Sequence, residues 1–419
     1  MTRQESDSEE ENVIQEPEVL MVPNFVVSDK TFLLSLYQND KNDNVDNTKK
    51  LALIQEIIDL IDKDEMGPFY KYITTELGLF PFDQNKYEDL IKLNEKKLKE
   101  LNENIQTLEK NDEGALELSI SWNKLGAYYT QIGDFENAKH ILLGKAFETA
   151  ISIGAKIDIL LMIVRLGFFY DDKNFIKEKL QEIESLIEKG GDWERRNRYK
   201  TYMGIYSLSV REFNKAAELL VDSLATFTSV ELTSYENIAM YASVAGLFAL
   251  ERTDLKTKII DSPELLSIMT STPALQSITS LTISLYTSEY SSFFPYLLET
   301  YENVLIPSKY LNKHANYFIR EMRRKCYAQL LDSYKTLSLQ SMANSFGVSV
   351  DFLDDDLSKF IPNKKLNCII DRVNGIVETN RPDNKNSQYQ LLIKNGDSLL
   401  TKLQKYSAAV KLTGEDRVV

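Results

Sequence analysis

The sequence predicts a predominantly α-helical chain: an array of helical-pair repeats, then a small helix–turn–helix unit with a β-hairpin, then a long terminal helix. Three observations carry this. Glycine and proline are few, 16 and 10 in 419 residues, and because they punctuate turns their scarcity favours long helices over many short strands. Gly126, Gly167, Gly204 and Gly246 recur at intervals of 41, 37 and 42 residues, each followed by Phe or Leu eight or nine positions on. Near the C-terminus two β-branched runs flank Asn374-Gly375, a strong short-range hairpin signal.

The first segment, residues 1–21, is an acidic tail. Glu5, Asp7, Glu9, Glu10, Glu11, Glu16 and Glu18 face only Arg3, and such a stretch repels itself and buries too little to offset its ordering entropy, so it is expected to be disordered. Ser6 and Ser8 each have an acidic residue three positions later, a pattern acidophilic kinases accept; a solubilising tail is the alternative. N-terminal helices are expected over 22–115. Leu51, Ile54, Ile57, Ile58 and Ile61 line one helical face until Met66-Gly67-Pro68 stops it. A second helix over Asn85–Lys110 carries Ile91, Asn94, Leu98, Leu101, Ile105 and Leu108 in steps of three and four. The seam spans fewer than three heptads, so it packs on a neighbouring helix or, alternatively, on one from another chain.

Repeats are expected over 116–335. Around Trp122 the chain reads WNKLGAYYTQIGDFENAK, and around Gly204 YMGIYSLSVREFNKAAELL. Trp-x2-Leu-Gly-x2-Tyr followed by Ala is the tetratricopeptide pattern, whose repeat is about 34 residues. A small residue inside the first helix of a pair lets the second approach closely, and each pair leaves an apolar face that only the next covers. The longer spacing here points to degenerate repeats with extended helices.

Residues 336–386 read as a winged helix. Leu337–Phe346 is a short amphipathic helix, Gly347-Val348 turns the chain, and Ser349 caps a second helix that Pro362 ends. The runs Leu366–Val373 and Ile376–Thr379 form the hairpin, with Ile376 and Val377 on an edge available for strand pairing with a partner. Residues 387–419 form the last helix and tail, where Tyr389, Leu392, Gly396, Leu399, Leu400, Leu403, Tyr406 and Val410 make an apolar stripe beyond the last globular domain.

Composition and motif searches exclude more than they offer. With 49 basic against 63 acidic residues, the net charge is −14, which argues against a nucleic-acid or anionic-membrane binder. The presumed recognition helix, SVDFLDDDLSKF, sets four aspartates against one lysine and would repel a duplex. Two histidines and two cysteines are too few for a disulfide framework or a zinc centre rich in both. Cys326 and Cys368 read as small core residues, His314 as a surface or interface residue, and Asp354–Asp356 as a solvated acidic face. Phosphate-loop, dinucleotide, HExxH and GxSxG motifs are absent, so no catalytic, metal or cofactor residue is assigned. No stretch is apolar enough to span a bilayer. Two basic runs stand out: Arg195, Arg196 and Arg198 after Gly190-Gly191-Asp192-Trp193, and Arg320, Arg323 and Arg324 just before the winged helix. They are either a solvated face with local ion pairs or contacts for an acidic partner.

Degenerate tetratricopeptide-like repeats running into a winged helix resemble the PCI module of the proteasome lid, the signalosome and translation initiation factor three. Longer blocks sharpen this: GGDWERRNRYK at Gly190–Lys200, LLVDSLATFTS at Leu219–Ser229, FIREMRRKCYAQLLDSYKTLSL at Phe318–Leu339, FGVSVDFLDDDLSKFI at Phe346–Ile361 and DRVNGIVETNRPDNKN at Asp371–Asn386. In this order, from Val22 to the C-terminus, they resemble the non-ATPase subunit-seven family of the 26S proteasome lid. The signalosome's first subunit shares much of GDWERRNR and is the alternative; Asp371–Asn386 fits the proteasome family better. The resemblance implies a non-catalytic scaffold in ubiquitin-dependent proteolysis; the acidic start of the chain, where a secretory leader would be basic and then apolar, makes cytoplasm and nucleus the expected compartments. It also implies winged helices of PCI subunits side by side, C-terminal helices joined in a bundle, and ubiquitin removed by a different, metal-dependent subunit. A small, very acidic lid protein would suit the arginine runs.

Overall fold

The computed structural model describes residues 20–39, 47–111, 114–270, 272–380 and 385–415. The expectations for residues 1–19, including Ser6 and Ser8, lie outside them. The chain divides into two compact units, Met1–Ile319 and Arg320–Val419.

All the regular structure among the described residues of the first unit is helical. It opens with α1 (Phe25–Asn39), α2 (Asn47–Asp64) and the short α3 (Gly67–Lys71), which runs on as a π turn, Tyr72–Glu76. The α1 helix falls within the helical span expected over 22–115, although no periodic pattern marked its position. Met66-Gly67-Pro68 ends one helix and starts the next: Glu65 turns the chain with φ 56°, and Pro68 sits in the first turn of α3, where a missing N–H costs nothing. Of the expected α2 face, Ile57 and Ile61 are fully buried, Ile54 and Ile58 pack beside them, and Leu51 is exposed. The long α4 (Gln84–Asn111) packs on α5 (Ala115–Ile132). Its seam is therefore occupied within the chain, with Asn94 and Ile105 buried and Leu98 and Leu101 packed against the core around Trp122.

Next come α6 (Phe135–Ile141), continued by a π turn to Ala146 and by α7 (Phe147–Thr149), then α8 (Ile153–Tyr170), α9 (Lys173–Gly190), α10 (Trp193–Ser209) and α11 (Phe213–Leu224). They are followed by α12 (Tyr235–Ala249), α13 (Arg252–Leu255) with its π turn Lys256–Ile260, α14 (Pro263–Met269), α15 (Pro273–Thr287) and α16 (Tyr290–Thr300). The recurring glycines sit where the repeat requires. A Cβ on Gly204 would stand 2.6 Å from the Leu220 side chain, on Gly246 2.8 Å from Ile259, and on Gly167 2.9 Å from Ile176; on Gly126 it would overlap Leu142. Each first helix thus touches its second through a missing side chain, with Ala138, Ala216 and Leu255 buried beside the contacts.

The unit boundary falls within α17 (Ala315–Leu331). The second unit holds β1 (Thr336–Ser338), α18 (Leu339–Phe346), α19 (Val350–Phe360), β2 (Cys368–Asp371), β3 (Ile376–Thr379) and α20 (Lys385–Glu415). Ser349 caps α19 by accepting from the Phe352 N–H at 3.3 Å. Tyr327, Phe346, Leu353, Leu357, Phe360, Cys368 and Val377 are buried in this unit.

The strand order β1-β3-β2 corrects one expectation. β3 is central, pairing antiparallel with β1 at Leu337↔Val377 and with β2 at Ile370↔Val377. Ile376 and Val377 therefore offer no open edge, and Val377 is 0% exposed. The short β1 takes the first two residues of the helix expected over Leu337–Phe346, so α18 begins only at Leu339, and it occupies the edge that the sequence had left to a partner.

Candidate protein interfaces

The arginine runs resolve into internal ion pairs. On α10, Arg198 is 3% exposed and donates through Nε to Glu231 Oε1 at 2.9 Å and through a terminal nitrogen to Asp158 Oδ1 at 2.8 Å. Arg195 holds the other Asp158 oxygen at 2.8 Å and also pairs with Asp192. Tyr202 adds its hydroxyl to Glu231 at 3.0 Å. Burial works against the Arg198 charge, but Glu231, Tyr202 and Asp158 outweigh it and hold its pKa above the ordinary value. These side chains bridge α8, α10 and the turn before α12, so Arg195 and Arg198 are not available to an acidic partner. Arg196 is exposed, its Nε donating to the Gly191 carbonyl at 2.9 Å.

The second run behaves likewise. Arg323 pairs with Asp356 at 3.0 Å and lies over the Phe352 ring, and Arg324 pairs with Glu321 at 2.7 Å. Asp356 is buried and accepts from Tyr327, and Asp354 pairs with Arg372 at 2.7 Å. Of the three consecutive aspartates only Asp355 is exposed, so the expected solvated face is largely an internal ion-pair set. Sequence reasoning missed Asp158, Glu231 and Asp356 as partners. For Asp158 the available signal was a charge inside an apolar helix; Glu231, in a turn, and Asp356, the last of three aspartates, carried no such signal. In α8 the two charges that interrupt the run from Ile157 are Asp158, paired as above, and Arg165, which is 1% exposed and donates to the Leu20 carbonyl at 2.5 Å.

The last helix has no such internal use. In α20 every described side chain between 385 and 410 is exposed. Tyr389, Leu392, Gly396, Leu399, Leu403, Tyr406 and Val410 alternate in steps of three and four, a seam for a partner helix. Leu399 and Leu403 are each 60% exposed and Tyr406 73%, with Leu400 beside them. An apolar row of this length in water makes α20 a candidate interaction surface.

Among the described residues no group of three His, Cys, Asp or Glu side chains is placed to hold a metal ion, and no helix is long and apolar enough to cross a membrane. His314 is partly buried against the Ser209 carbonyl at 2.9 Å, and its pKa is lowered first by burial. Cys326 and Cys368 are buried free thiols, in helix and strand as expected.

Comparison with known proteins fits this arrangement. The family model of 26S proteasome subunit RPN7 matches residues 83–258, that of the PCI domain residues 298–381, and that of the RPN7/PSMD6 C-terminal helix residues 388–410. The chain is 62% identical to 26S proteasome regulatory subunit RPN7 of Saccharomyces cerevisiae, over 96% of this chain and 97% of the relative. It is 44% identical to the Schizosaccharomyces pombe subunit rpn7, covering 86% and 91%. It is 37% identical to the 26S proteasome non-ATPase regulatory subunit 6 homolog of Arabidopsis thaliana, covering 93% and 97%. With likeness running almost end to end, and with the exposed terminal seam itself matched, the chain belongs to the RPN7/PSMD6 family of 26S proteasome regulatory subunits, which are non-ATPase and non-catalytic.

Proposed function

We propose that this chain is an assembly scaffold of the proteasome lid that supports ubiquitin-dependent degradation, with α20 entering a bundle of C-terminal helices from other lid subunits. The observation that carries this is the three–four seam of α20, whose described side chains between 385 and 410 are all exposed. The winged helix packs beside those of other PCI subunits. Because β3 is central, any strand pairing uses the outer edges of β1 or β2, where Ile369 is exposed. A small acidic partner keeps only Arg196 of the α10 run as an exposed contact. Cytoplasm and nucleus are the proposed compartments, in keeping with two free thiols. The test is to express the chain ending at residue 384 in place of the full chain and to follow native lid assembly. The truncated subunit should fold and be left out of the complex; incorporation at the full-length level would refute the bundle role.

A further inference from the structure

The first unit carries a cleft of ≈ 440 Å³ that the scaffold role does not use. Its walls are three aromatic rings from three elements: Tyr72 on the π turn after α3, Phe135 at the start of α6 and Tyr170 at the end of α8. Tyr170 stands at the centre, edge-on to Tyr72 at 5.0 Å and to Phe135 at 5.7 Å. Its hydroxyl donates to the Gly133 carbonyl at 2.5 Å, which fixes the ring against the α5–α6 turn.

Carboxylates form the rim: Glu76, Asp134, Glu136 and Asp172. Asp134 and Asp172 cap α6 and α9, accepting from Asn137 N–H and Phe175 N–H at 3.2 Å each. Glu76 and Glu136 are exposed and form no ion pair among the described residues. No lysine or arginine lines the cleft. Neighbouring cations are engaged elsewhere. Lys139 lies closer to the Phe175 ring, at 5.2 Å, than to Phe135, at 6.0 Å; Lys173 donates to the Ser209 carbonyl; Lys313 pairs with Asp171. The Tyr170 hydroxyl is held well above its ordinary pKa, first by burial and then by Tyr72, Asp134 and Glu76, so the rim's negative field reaches the ring.

Electron-rich faces walled by uncompensated carboxylates favour one chemistry. A guanidinium stacks on an aromatic plane, donates to carboxylates from its edge, and loses less hydration than an ammonium. We propose that the cleft is a docking site for a partner protein segment presenting an arginine, whose guanidinium packs on Tyr72 and Tyr170 and donates to Glu76 and Glu136.

Fluorescence anisotropy of a labelled peptide of alternating glycine and arginine, titrated with the full chain, tests this. Glu76→Gln with Glu136→Gln should weaken binding about tenfold, the loss of two charge-assisted contacts. Tyr72→Leu should weaken it several-fold while Tyr72→Phe keeps it, and the matching lysine peptide should bind more weakly. Asp351→Asn with Asp355→Asn, exposed carboxylates of the other unit, should leave affinity within about twofold. Both glutamates are exposed, so the double variant should melt with the parent. Absence of arginine-peptide binding, an equal loss in the Asp351/Asp355 control, an unaffected Tyr72→Leu variant, or equal affinity for the lysine peptide would each overturn the proposal.

Discussion

At the scale of single residues, two glycines with the same helical setting should respond oppositely to alanine. Gly204 faces buried Leu220 at a distance no Cβ tolerates, whereas Gly396 has nothing within 4 Å. Gly204→Ala should lose about 1–3 kcal/mol by overpacking, partly offset by better helix propensity. Gly396→Ala should gain up to about 1 kcal/mol in the isolated subunit; chemical denaturation of the two variants reads both signs. Arg198 and Glu231 make a second residue-scale case. Removing one partner strands a buried charge, so Arg198→Met should cost about 3–5 kcal/mol, and adding Glu231→Gln should restore part of it. If the double variant is no better than the single one, the pair is not the source of the loss. Asp29 on α1 supplies a pH dependence. Burial, only partly offset by Lys309, pushes its pKa from 3.8 up to about 6. The native state therefore holds this proton more tightly than the unfolded chain. Its contribution to stability is present below about pH 3.8 and is lost as pH rises through about 6, roughly 3 kcal/mol in all. Asp29→Asn should flatten that part of the stability curve; an unchanged slope between pH 4 and 6 would contradict the assignment.

At the scale of elements, α20 differs from every other long helix in making no use of its own chain for burial. Elsewhere an amphipathic helix gains its stability by covering an apolar face. Here the face of Leu399, Leu400, Leu403 and Tyr406 stays in water, and burying each leucine fully in a partner is worth about 1.5–3 kcal/mol. Leu399→Asp with Leu403→Asp should therefore leave the melting temperature of the monomer unchanged while blocking entry into the lid on native gels. A monomer that no longer melts cooperatively would show that the stripe packs within the subunit.

For the whole molecule, the N-terminal boundary is set by one buried side chain. Arg165 lies deep in α8 and donates through one terminal nitrogen to the carbonyl of Leu20, while Val22 packs against the core around Trp122. The acidic composition alone would place a harmless cut at Val22. The fold places it at Leu20, because cutting two residues later removes the acceptor of a buried guanidinium, at about 1–3 kcal/mol. A chain starting at Leu20 should melt like the full chain and one starting at Val22 several degrees lower; equal melting would show that the Leu20 carbonyl is dispensable.

Periodicity alone determined the helical class, the seam of α4, the glycine contacts between paired helices and the exposed stripe of α20. These depend on spacing along a single helix or on a residue's own size, and both are written locally. The sequence left open whether Arg195, Arg198, Arg323 and Arg324 face a partner or their own chain, and it misassigned Ile376 and Val377 to an open edge. Those answers belong to pairs far apart in sequence: Arg198 with Glu231 and Asp158, Arg323 with Asp356, β3 with the three-residue β1. A charge reads the same whether it points to solvent or to a distant carboxylate, and a strand of three residues is too short to show its period. Only the tertiary structure, by bringing those partners together, decided which charges are spent inside the fold and which strand closes the sheet edge.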